Sequence, residues 1–482
     1  MLTTSNYVEK LAFEKYTEDF SNVYGTAYDA MKSGKNAAEA KLSLNVSEDA
    51  LDMVSELTDD IDMSWLNNIS LSMDTAIADN MQSVDLNLDI AKQTILNLNL
   101  INDLNEQEMF LALLNLSDKY ILIDTEDVYG ISAEELTSMY NTEEYAKILP
   151  SDKELEKLLN KYIKIVIDNL DDVEKSKETI EVDGIKEKVT VLEFNLDAET
   201  VADICTDVLE EAKKDKQLKK HIETIAAYLE EKDMIDDAGD VYAAYTEGID
   251  ELLGEIDPDD LPDGKLLTIV DYVNSKHEIV GRKIKVEKQE VLYYATAHKG
   301  KKFATELEMG GIEFTGNGTD KNGKITGEFE LESYNTKIMD IAVKDFDTDK
   351  LSDGYLNGNF RIFPSSALLE ETGLDYSLSS VLSFIDIGFE FDVKTSKNSS
   401  EITFNFLNED EMFAGINLSA KTKNAGKISA PAQSKTVDID DVDEWLESLD
   451  TDKLVSALKK AKLDNEIVEL VEDALDMLEY YY

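Results

Sequence analysis

Hydrophobic residues alternate with polar ones in two long stretches of the chain, from about Ala37 to Asp124 and again from Gly264 to Lys427. A repeat of two places one set of side chains on one face of a strand and the intervening set on the other. The pattern therefore predicts long antiparallel strands that are wetted on one face. The apolar positions of the first stretch include Leu42, Leu44, Val46, Ile69, Leu71, Met73, Leu86, Leu88, Ile90, Leu96, Leu98 and Leu100.

Apolar steps of three and four residues, which are typical of helices, occupy the segments before, between and after these two stretches. Ser151 is a good N-cap, because Glu154 follows at the capping-box position. A β-hairpin interrupts the central helices, since residues alternate on both sides of the turn at Asp183 and Gly184. The predicted helices before the second stretch lie at about 5–34, 132–148 (one or two short helices), 151–171, 197–214 and 216–254.

The order of these elements predicts an α+β fold. Its centre is a large curved antiparallel sheet, half-barrel-like, that is covered by helices inserted in the middle of the chain. The predicted organisation is an N-terminal helix at 1–34 that packs on the sheet, a first antiparallel strand block at 35–125, a helical lid at 126–263 with a hairpin at 177–195, a second antiparallel strand block at 264–430 and a C-terminal acidic helical appendage at 431–482.

The chain is strongly acidic, with 103 Asp and Glu against 47 Lys and Arg and a formal net charge of −56. A field of that sign repels nucleic-acid phosphates and anionic membrane surfaces, so we expect no nucleic-acid partner. Arginine occurs only as Arg282 and Arg361, and lysine supplies the other positive charges.

Cys205 is the single cysteine, which excludes an internal disulfide and a zinc site built from several cysteines. It lies within the helical pattern from Val201 to Leu209, so we expect a small, buried apolar residue there. The sequence contains no apolar run of about eighteen residues and therefore no candidate transmembrane helix.

One glycine-containing segment, Gly318 to Lys324, matches the first part of a phosphate-binding loop. Ile325 occupies the next position, where the motif requires a Ser or Thr for magnesium, and the segment joins two predicted strands. We therefore interpret it as a hairpin turn.

Three alternating carboxylates, Asp345, Asp347 and Asp349, are spaced like the ligands of a calcium loop. The turn glycine of such a loop is replaced by Lys350 and its final glutamate by Leu356. We interpret the segment as a solvated turn, with calcium binding as the alternative.

The sequence lacks the usual motifs of hydrolases. Its three histidines, His221, His277 and His298, lie in unlike contexts, and neither His-Glu-x-x-His nor Gly-x-Ser-x-Gly occurs. We therefore expect a non-enzymatic protein without a cofactor. A carboxylate-dependent hydrolase stays open as an alternative, because two of the 103 acids can lie side by side without forming a recognisable motif.

Aromatic residues concentrate in the second strand block. They predict either a packed core or, in a curved sheet roofed by helices, the lining of a ligand cavity. The residues are Tyr293, Tyr294, Phe303, Phe314, Phe329, Phe360, Phe363, Phe384, Phe389, Phe391, Phe404, Phe406 and Phe413.

Two resemblances accompany this pattern. The order of a long helix, a broad meander, inserted helices and a return to the sheet resembles the half-barrel carriers typified by the bacterial outer-membrane lipoprotein carrier. The segment 116–121, the strands from Gly327 to Pro364, and Pro431 with Trp445 are similar to uncharacterised surface lipoproteins of gut Firmicutes. The resemblances imply export to the cell surface, with membrane association only through a lipid anchor outside the present sequence.

The leading hypothesis is an exported, non-enzymatic carrier or binder of an apolar or amphiphilic ligand, which lies in a cavity between sheet and helices. Its physical basis is that a twisted sheet has a concave face that two or three helices cannot fill. We expect a monomer. The predicted lining residues are Leu86, Leu88, Leu98, Leu100, Ile163, Ile167, Ile225, Phe329 and Phe391.

The main alternative is a solid-cored surface scaffold that binds a protein partner. Such a scaffold would use its acidic exterior or its C-terminal helices, with Trp445 and the residues from Tyr480 to Tyr482 as exposed anchors. A tightly filled interior would favour the scaffold over the carrier.

Overall fold

The computed structural model describes residues 5–32, 37–57, 61–78, 80–124, 146–170, 173–232, 234–258, 264–366, 368 and 387–481. The predicted fold class is confirmed, because the protein is α+β and contains a large curved antiparallel sheet together with helices. The chain forms two compact units, each assembled from two separate segments. Unit 1 comprises Met1–Lys32 and Glu143–Ser379, and unit 2 comprises Ser33–Thr142 and Ser380–Tyr482.

The helices and strands of the described ranges are numbered in chain order. The helices are α1 (Ser5–Lys32), α2 (Glu48–Leu57), α3 (Asp152–Asp168), α4 (Ala198–Lys214), α5 (Lys216–Glu231), α6 (Ala238–Glu255), α7 (Thr348–Ser352), α8 (Val442–Glu447), α9 (Thr451–Lys460) and α10 (Asn465–Tyr481). The strands are β1 (Ala37–Val46), β2 (Ile69–Ala78), β3 (Met81–Ile90), β4 (Gln93–Asp103), β5 (Glu108–Leu113), β6 (Tyr120–Asp124), β7 (Glu174–Val182), β8 (Ile185–Asp197), β9 (Lys265–Val273), β10 (Ile279–Val286), β11 (Gln289–Lys299), β12 (Lys302–Met309), β13 (Ile312–Asp320), β14 (Lys324–Ser333), β15 (Thr336–Asp347), β16 (Asn357–Pro364), β17 (Ile387–Ser396), β18 (Ser399–Asn408), β19 (Glu411–Lys423) and β20 (Thr436–Asp438).

Strands β7 to β16 form a meander in unit 1, in which each strand pairs antiparallel with the next. Apolar side chains share one face, on which Leu307 lies opposite Phe314. At the β8 end, Phe194 of this apolar face packs with Val201 and Ile204 of α4. The opposite face carries carboxylates from three neighbouring strands, namely Glu306, Glu308, Glu313, Glu328, Glu330 and Glu332.

The predicted hairpin is present as β7 and β8, but β8 also pairs with β9. The hairpin is therefore the first part of the sheet, although the sequence analysis placed it in the lid. It folds over the sheet, because Val182 belongs to the same buried cluster as Ala297 and Ala304. The backbone N–H of His298 donates a 2.7 Å hydrogen bond to Glu187 Oε2, which fixes the hairpin tip.

Helices α3 to α6 lie in the middle of the chain, within the range of the predicted lid, and belong to unit 1. Residues 126–145 of that predicted lid lie outside the described residues. The predicted capping box of α3 is confirmed: Ser151 Oγ accepts the N–H of Glu154, and the Glu154 carboxylate accepts the N–H of Ser151.

Helix α1 packs mainly along α3, where the sequence analysis predicted packing on the sheet. The Tyr24 hydroxyl donates to the carbonyl of Pro150 at 2.5 Å, and Thr17 Oγ1 donates to Asn160 Oδ1 at 2.8 Å. These contacts hold α1 against residues that lie more than a hundred positions further along the chain.

In unit 2 the antiparallel strands follow the spatial order β17, β18, β19, β1, β2, β3, β4, β5 and β6, and β20 pairs parallel with β6. The pairing of β1 with β19 places Leu42 opposite Leu418. Unit 2 therefore combines strands from both predicted strand blocks.

The C-terminal segment forms part of the core of unit 2, where the sequence analysis described an appendage. Helices α9 and α10 bury Leu458 and Val468 against Ile90 and Ile95. Trp445 of α8 is only 7% exposed, and its indole N–H donates to the carbonyl of Lys119 at 3.1 Å. The prediction that Trp445 is an exposed anchor is therefore wrong, since the ring fills a pocket in its own unit. The side chains of residues 480–482 lie outside the described residues.

Cys205 is exposed on α4, so the prediction of a buried cysteine is wrong. Ala202 is the buried residue of this helix. Within the described ranges, no helix combines the length and apolar character that a membrane crossing requires.

Candidate functional site

The apolar face of unit 1 contains a recess of about 350 Å³ at the end formed by β11 to β16. We call it the aromatic recess. A volume of this size is at the lower end of the range for small-molecule sites. Its lining residues are Thr296, His298, Phe303, Thr305, Phe314, Asp320, Ile325, Phe329, Ile341, Val343, Phe346 and Phe360.

Three glycines lie on β13 and β14, between the residues that line the recess. A side chain at Gly316 would collide with the ring of Phe329, and one at Gly318 would collide with the backbone of β14. A Cβ atom at Gly327 would lie 2.5 Å from the carbonyl oxygen of Asn317. The absence of side chains at these positions leaves room for the rings of Phe329 and Phe303 and permits sheet curvature.

Aromatic rings form the walls. The rings of Phe314 and Phe329 stack, with centroids 5.3 Å apart and planes inclined by 8°, and Phe303 lies 6.3 Å from Phe329. Phe346 and Phe360 form a second pair at 5.7 Å. Phe303 is buried, whereas the other four rings are half-buried. The recess thus exposes apolar surface that the fold itself leaves uncovered.

The polar residues of the recess are occupied by contacts within the fold. Thr296 Oγ1 and Thr305 Oγ1 lie 2.9 Å apart, and the Thr305 hydroxyl also contacts the carbonyl of Ala295. His298 Nδ1 lies 3.5 Å from the carboxylate of Glu187. The arrangement is suited to holding an apolar group by contact and exclusion of water.

Only one of the predicted lining residues, Phe329, lies in the aromatic recess. Ile163 and Ile167 on α3 and Ile225 on α5 belong to unit 1, and Ile167 is buried within the fold. The other five predicted residues, Leu86, Leu88, Leu98, Leu100 and Phe391, belong to unit 2. The predicted set is therefore divided between the two units.

In unit 2 the four predicted leucines lie on one face of neighbouring strands, as their alternation indicates. Leu86 lies opposite Leu98 on β4 and opposite Met73 on β2. The ring of Phe391 contacts that of Phe404 at 5.0 Å on the same face. Further residues of this face keep 37–41% exposure, namely Leu42, Leu71, Met73, Ile416 and Leu418.

Some residues of the aromatic recess were predicted from the sequence, and others were not. Aromatic crowding pointed to Phe303, Phe314, Phe329 and Phe360, whereas Phe384 lies outside the described residues. The missed residues are Thr296, His298, Thr305, Asp320, Ile325, Ile341, Val343 and Phe346. Closely spaced glycines within an alternating strand pattern were the available signal for the place where these rings pack.

The segment from Gly318 to Lys324 forms the turn between β13 and β14, so its interpretation as a hairpin is confirmed. Asp347 caps α7, because its side chain accepts the N–H of Lys350 at 3.0 Å. In the part of the chain that the structure describes, no three acidic, histidine or cysteine side chains gather at a metal-binding geometry. Asp345, Asp347 and Asp349 are therefore not gathered at such a geometry in the structure.

Comparisons with protein-family models, with curated proteins and with solved structures find no match to this chain.

Proposed function

We propose that the protein is a non-enzymatic binder or carrier of an apolar or amphiphilic ligand, and that the ligand lies in the aromatic recess of unit 1. The observation that supports this proposal is an open volume of about 350 Å³ walled by half-buried phenylalanine rings. Covering such rings releases water from apolar surface, at about 25 cal/mol for each Å². An aromatic ring or a stretch of acyl chain has the chemistry to gain this energy.

Titration with the apolar dye 1-N-phenylnaphthylamine tests the binding site, because its emission rises when it leaves water. We expect saturable binding to the full chain. Replacement of Ile341, which lines the recess, by Trp should weaken the affinity about tenfold, because the larger ring occupies the volume. Val343→Phe is a second filling variant for the case that Ile341→Trp fails to fold.

Ile312→Trp is the matched control, because Ile312 is exposed on the same sheet but does not line the recess. It should leave the dye affinity within about twofold of the parent value. Equal dye binding by the filling variants and the control would contradict the proposed location, provided that thermal melting shows all of them to be folded.

Organic extraction and native mass spectrometry of protein purified from its source distinguish a carrier from a scaffold. A carrier should contain an apolar passenger in stoichiometric amount. A passenger-free protein that also fails to bind the dye would contradict the proposal and leave the scaffold alternative.

The proposal includes export to the cell surface, which rests on the resemblance to surface lipoproteins. Protease added to intact source cells should cleave the protein while a cytosolic marker stays whole. Cleavage only after lysis would contradict this location.

A further inference from the structure

A second pocket of unit 1, of about 510 Å³, lies between α1, the segment 146–149, the start of α3 and α5. We call it the lysine pocket. It shares no lining residue with the aromatic recess. Its lining residues are Tyr28, Lys32, Ala146, Lys147, Ile148, Leu149, Glu154, Lys220, His221 and Thr224.

Three lysines converge on this pocket without a carboxylate partner. Among the described residues, none of Lys32, Lys147 and Lys220 takes part in an ion pair. By contrast, Lys161 on α3 and Lys219 on α5 each have a carboxylate partner, at 2.7 and 3.5 Å. In a chain with more than twice as many acids as bases, three unpaired lysines at one pocket are a local reversal of charge.

His221 adds an unused hydrogen-bonding group. Its Nε2 atom is buried and has no hydrogen-bond partner within the described ranges. A buried polar atom without a partner is costly, so a ligand that supplies one gains binding energy.

Glu154 is the acidic residue among the lining residues, and it is committed to the start of α3. Its carboxylate accepts hydrogen bonds from the backbone and the hydroxyl of Ser151, at 3.0 and 2.9 Å. These bonds, with smaller contributions from His221 and Lys220, lower the pKa of the Glu154 carboxyl. The carboxylate therefore serves the helix N-terminus and forms no ion pair with the three lysines.

The helices that carry the pocket are held together independently of any ligand. Gln217 of α5 donates from Nε2 to the carbonyl of Glu154 at 2.8 Å, and Tyr24 of α1 donates to Pro150. On α5, Lys220 and Thr224 are four residues apart and so share one helix face, as do Tyr28 and Lys32 on α1. Four of the ten lining residues form an apolar wall, namely Tyr28, Ala146, Ile148 and Leu149.

We propose that the lysine pocket binds a small organic anion, whose phosphate or carboxylate head lies among the three lysines and whose apolar part lies against the apolar wall. Lysine ammonium groups bind such heads as point charges, and His221 supplies a further hydrogen bond. The pocket volume of about 510 Å³ has room for an organic group beside the anionic head. The lysine pocket is separate from the aromatic recess, and this proposal does not depend on the function proposed for that recess.

Calorimetric titration of the full chain with phenyl phosphate tests this proposal, with benzoate as the carboxylate form of the same ring. We expect saturable binding of at least one of the two. Phenol, which has the ring without the charge, should bind about tenfold more weakly or not at all, and inorganic phosphate should bind more weakly than phenyl phosphate. Failure of both anions to bind, or equal binding of phenol, would overturn the proposal.

Lys220→Gln should lower the anion affinity about tenfold, and Lys220→Arg should retain most of it, because the positive charge is kept. Lys219→Gln is the matched control: it removes the same charge from the adjacent position, but Lys219 pairs with Glu223 and lies 4.4 Å from the Tyr242 ring centroid. An equal loss in both Gln variants would show a long-range effect of net charge and would overturn the assignment to the pocket. Lys220 is exposed, so its replacement is compatible with folding.

Discussion

Arg282 is one of only two arginines in a chain that otherwise uses lysine. It lies directly opposite Asp271 on the neighbouring strand, with Nε 2.6 Å from Oδ1 and Nη2 3.1 Å from Oδ2. The Asp271 side chain is completely buried, and that of Arg282 is 16% exposed. A planar guanidinium satisfies both carboxylate oxygens at once, which an ammonium group cannot do.

Arg282→Met should lower the free energy of unfolding by about 3–5 kcal/mol, because it leaves a buried carboxylate without a partner. The double variant Arg282→Met with Asp271→Leu should recover most of this loss, since the buried charge is then removed as well. Urea denaturation followed by circular dichroism measures both. A double variant no more stable than the single one would contradict this explanation.

Asp215 is a second buried carboxylate, and it caps α5. It accepts hydrogen bonds from the N–H groups of Gln217 and Leu218, at 2.7 and 3.1 Å, and from Lys161 at 2.7 Å. Burial acts to raise the pKa of Asp215, but the Lys161 ammonium and the two backbone N–H groups outweigh it and hold this pKa below its ordinary value.

A lowered folded-state pKa contributes stability above the ordinary pKa of Asp, about 3.9, and this stability is lost as the pH falls through the folded-state value. Asp215→Asn should therefore cost about 1–2 kcal/mol at pH 7, and the difference from the parent should shrink below about pH 4. Urea denaturation at both pH values measures this. Asp203→Asn, on the exposed side of α4, is the control. If the loss of unfolding free energy caused by Asp215→Asn were the same at both pH values, the lowered pKa of Asp215 would be contradicted.

At the scale of elements, the hairpin of β7 and β8 determines which positions of the sheet must be small. Ala297 and Ala304 lie opposite each other on β11 and β12, and both are fully buried. Val182 and Val189 of the hairpin belong to the same cluster. The hairpin can pack this closely only because the side chains beneath it are methyl groups.

Ala297→Leu should lower the free energy of unfolding by about 1–3 kcal/mol, because the added carbons have no room beneath the hairpin. Val291→Leu is the control on the same strand, since Val291 is 39% exposed. Urea midpoints of the two variants should differ clearly. Equal midpoints would mean that the hairpin does not pack on the sheet as described.

Predictions of single elements were confirmed where they depend on residues that are close together in the sequence. The capping box at Ser151 and the turn from Gly318 to Lys324 depend on neighbouring residues, and both are confirmed. Trp445 was predicted to be exposed and is buried, and Cys205 was predicted to be buried and is exposed. Both predictions failed because burial depends on which distant surface faces the helix. Of the predicted lining set, Phe329 alone lies in the aromatic recess, since the pairing of β11 to β16 decides which residues line that volume.

At the scale of the whole molecule, each unit is built from two segments that are far apart in sequence. Unit 2 depends on the pairing of β1 with β19, which closes a loop of more than three hundred residues. The net charge of −56 acts on the whole chain, because like charges are closer together in the folded state than in the unfolded state.

Addition of NaCl from about 0.01 to 0.15 M, which shortens the Debye length from about 30 to 8 Å, should raise the thermal unfolding midpoint. Acidic residues outnumber basic ones by more than two to one, so the charges repel one another on balance. Salt screens this net repulsion. Differential scanning calorimetry measures the midpoint, and KCl should act like NaCl. A midpoint that falls with salt would show that ion pairs outweigh the repulsion.

Local patterns along the chain were sufficient to predict the class of the fold, most of its strands and helices, and which face of the sheet carries the leucines from Leu86 to Leu100. These properties follow from contacts between residues two to four positions apart, which any stretch of chain carries within itself. Three other features became visible only in the folded chain: the predicted lining residues divide between two units, Trp445 is buried, and three lysines meet at one pocket. Such meetings depend on which strands and helices pack together over long separations, and no local pattern encodes that choice.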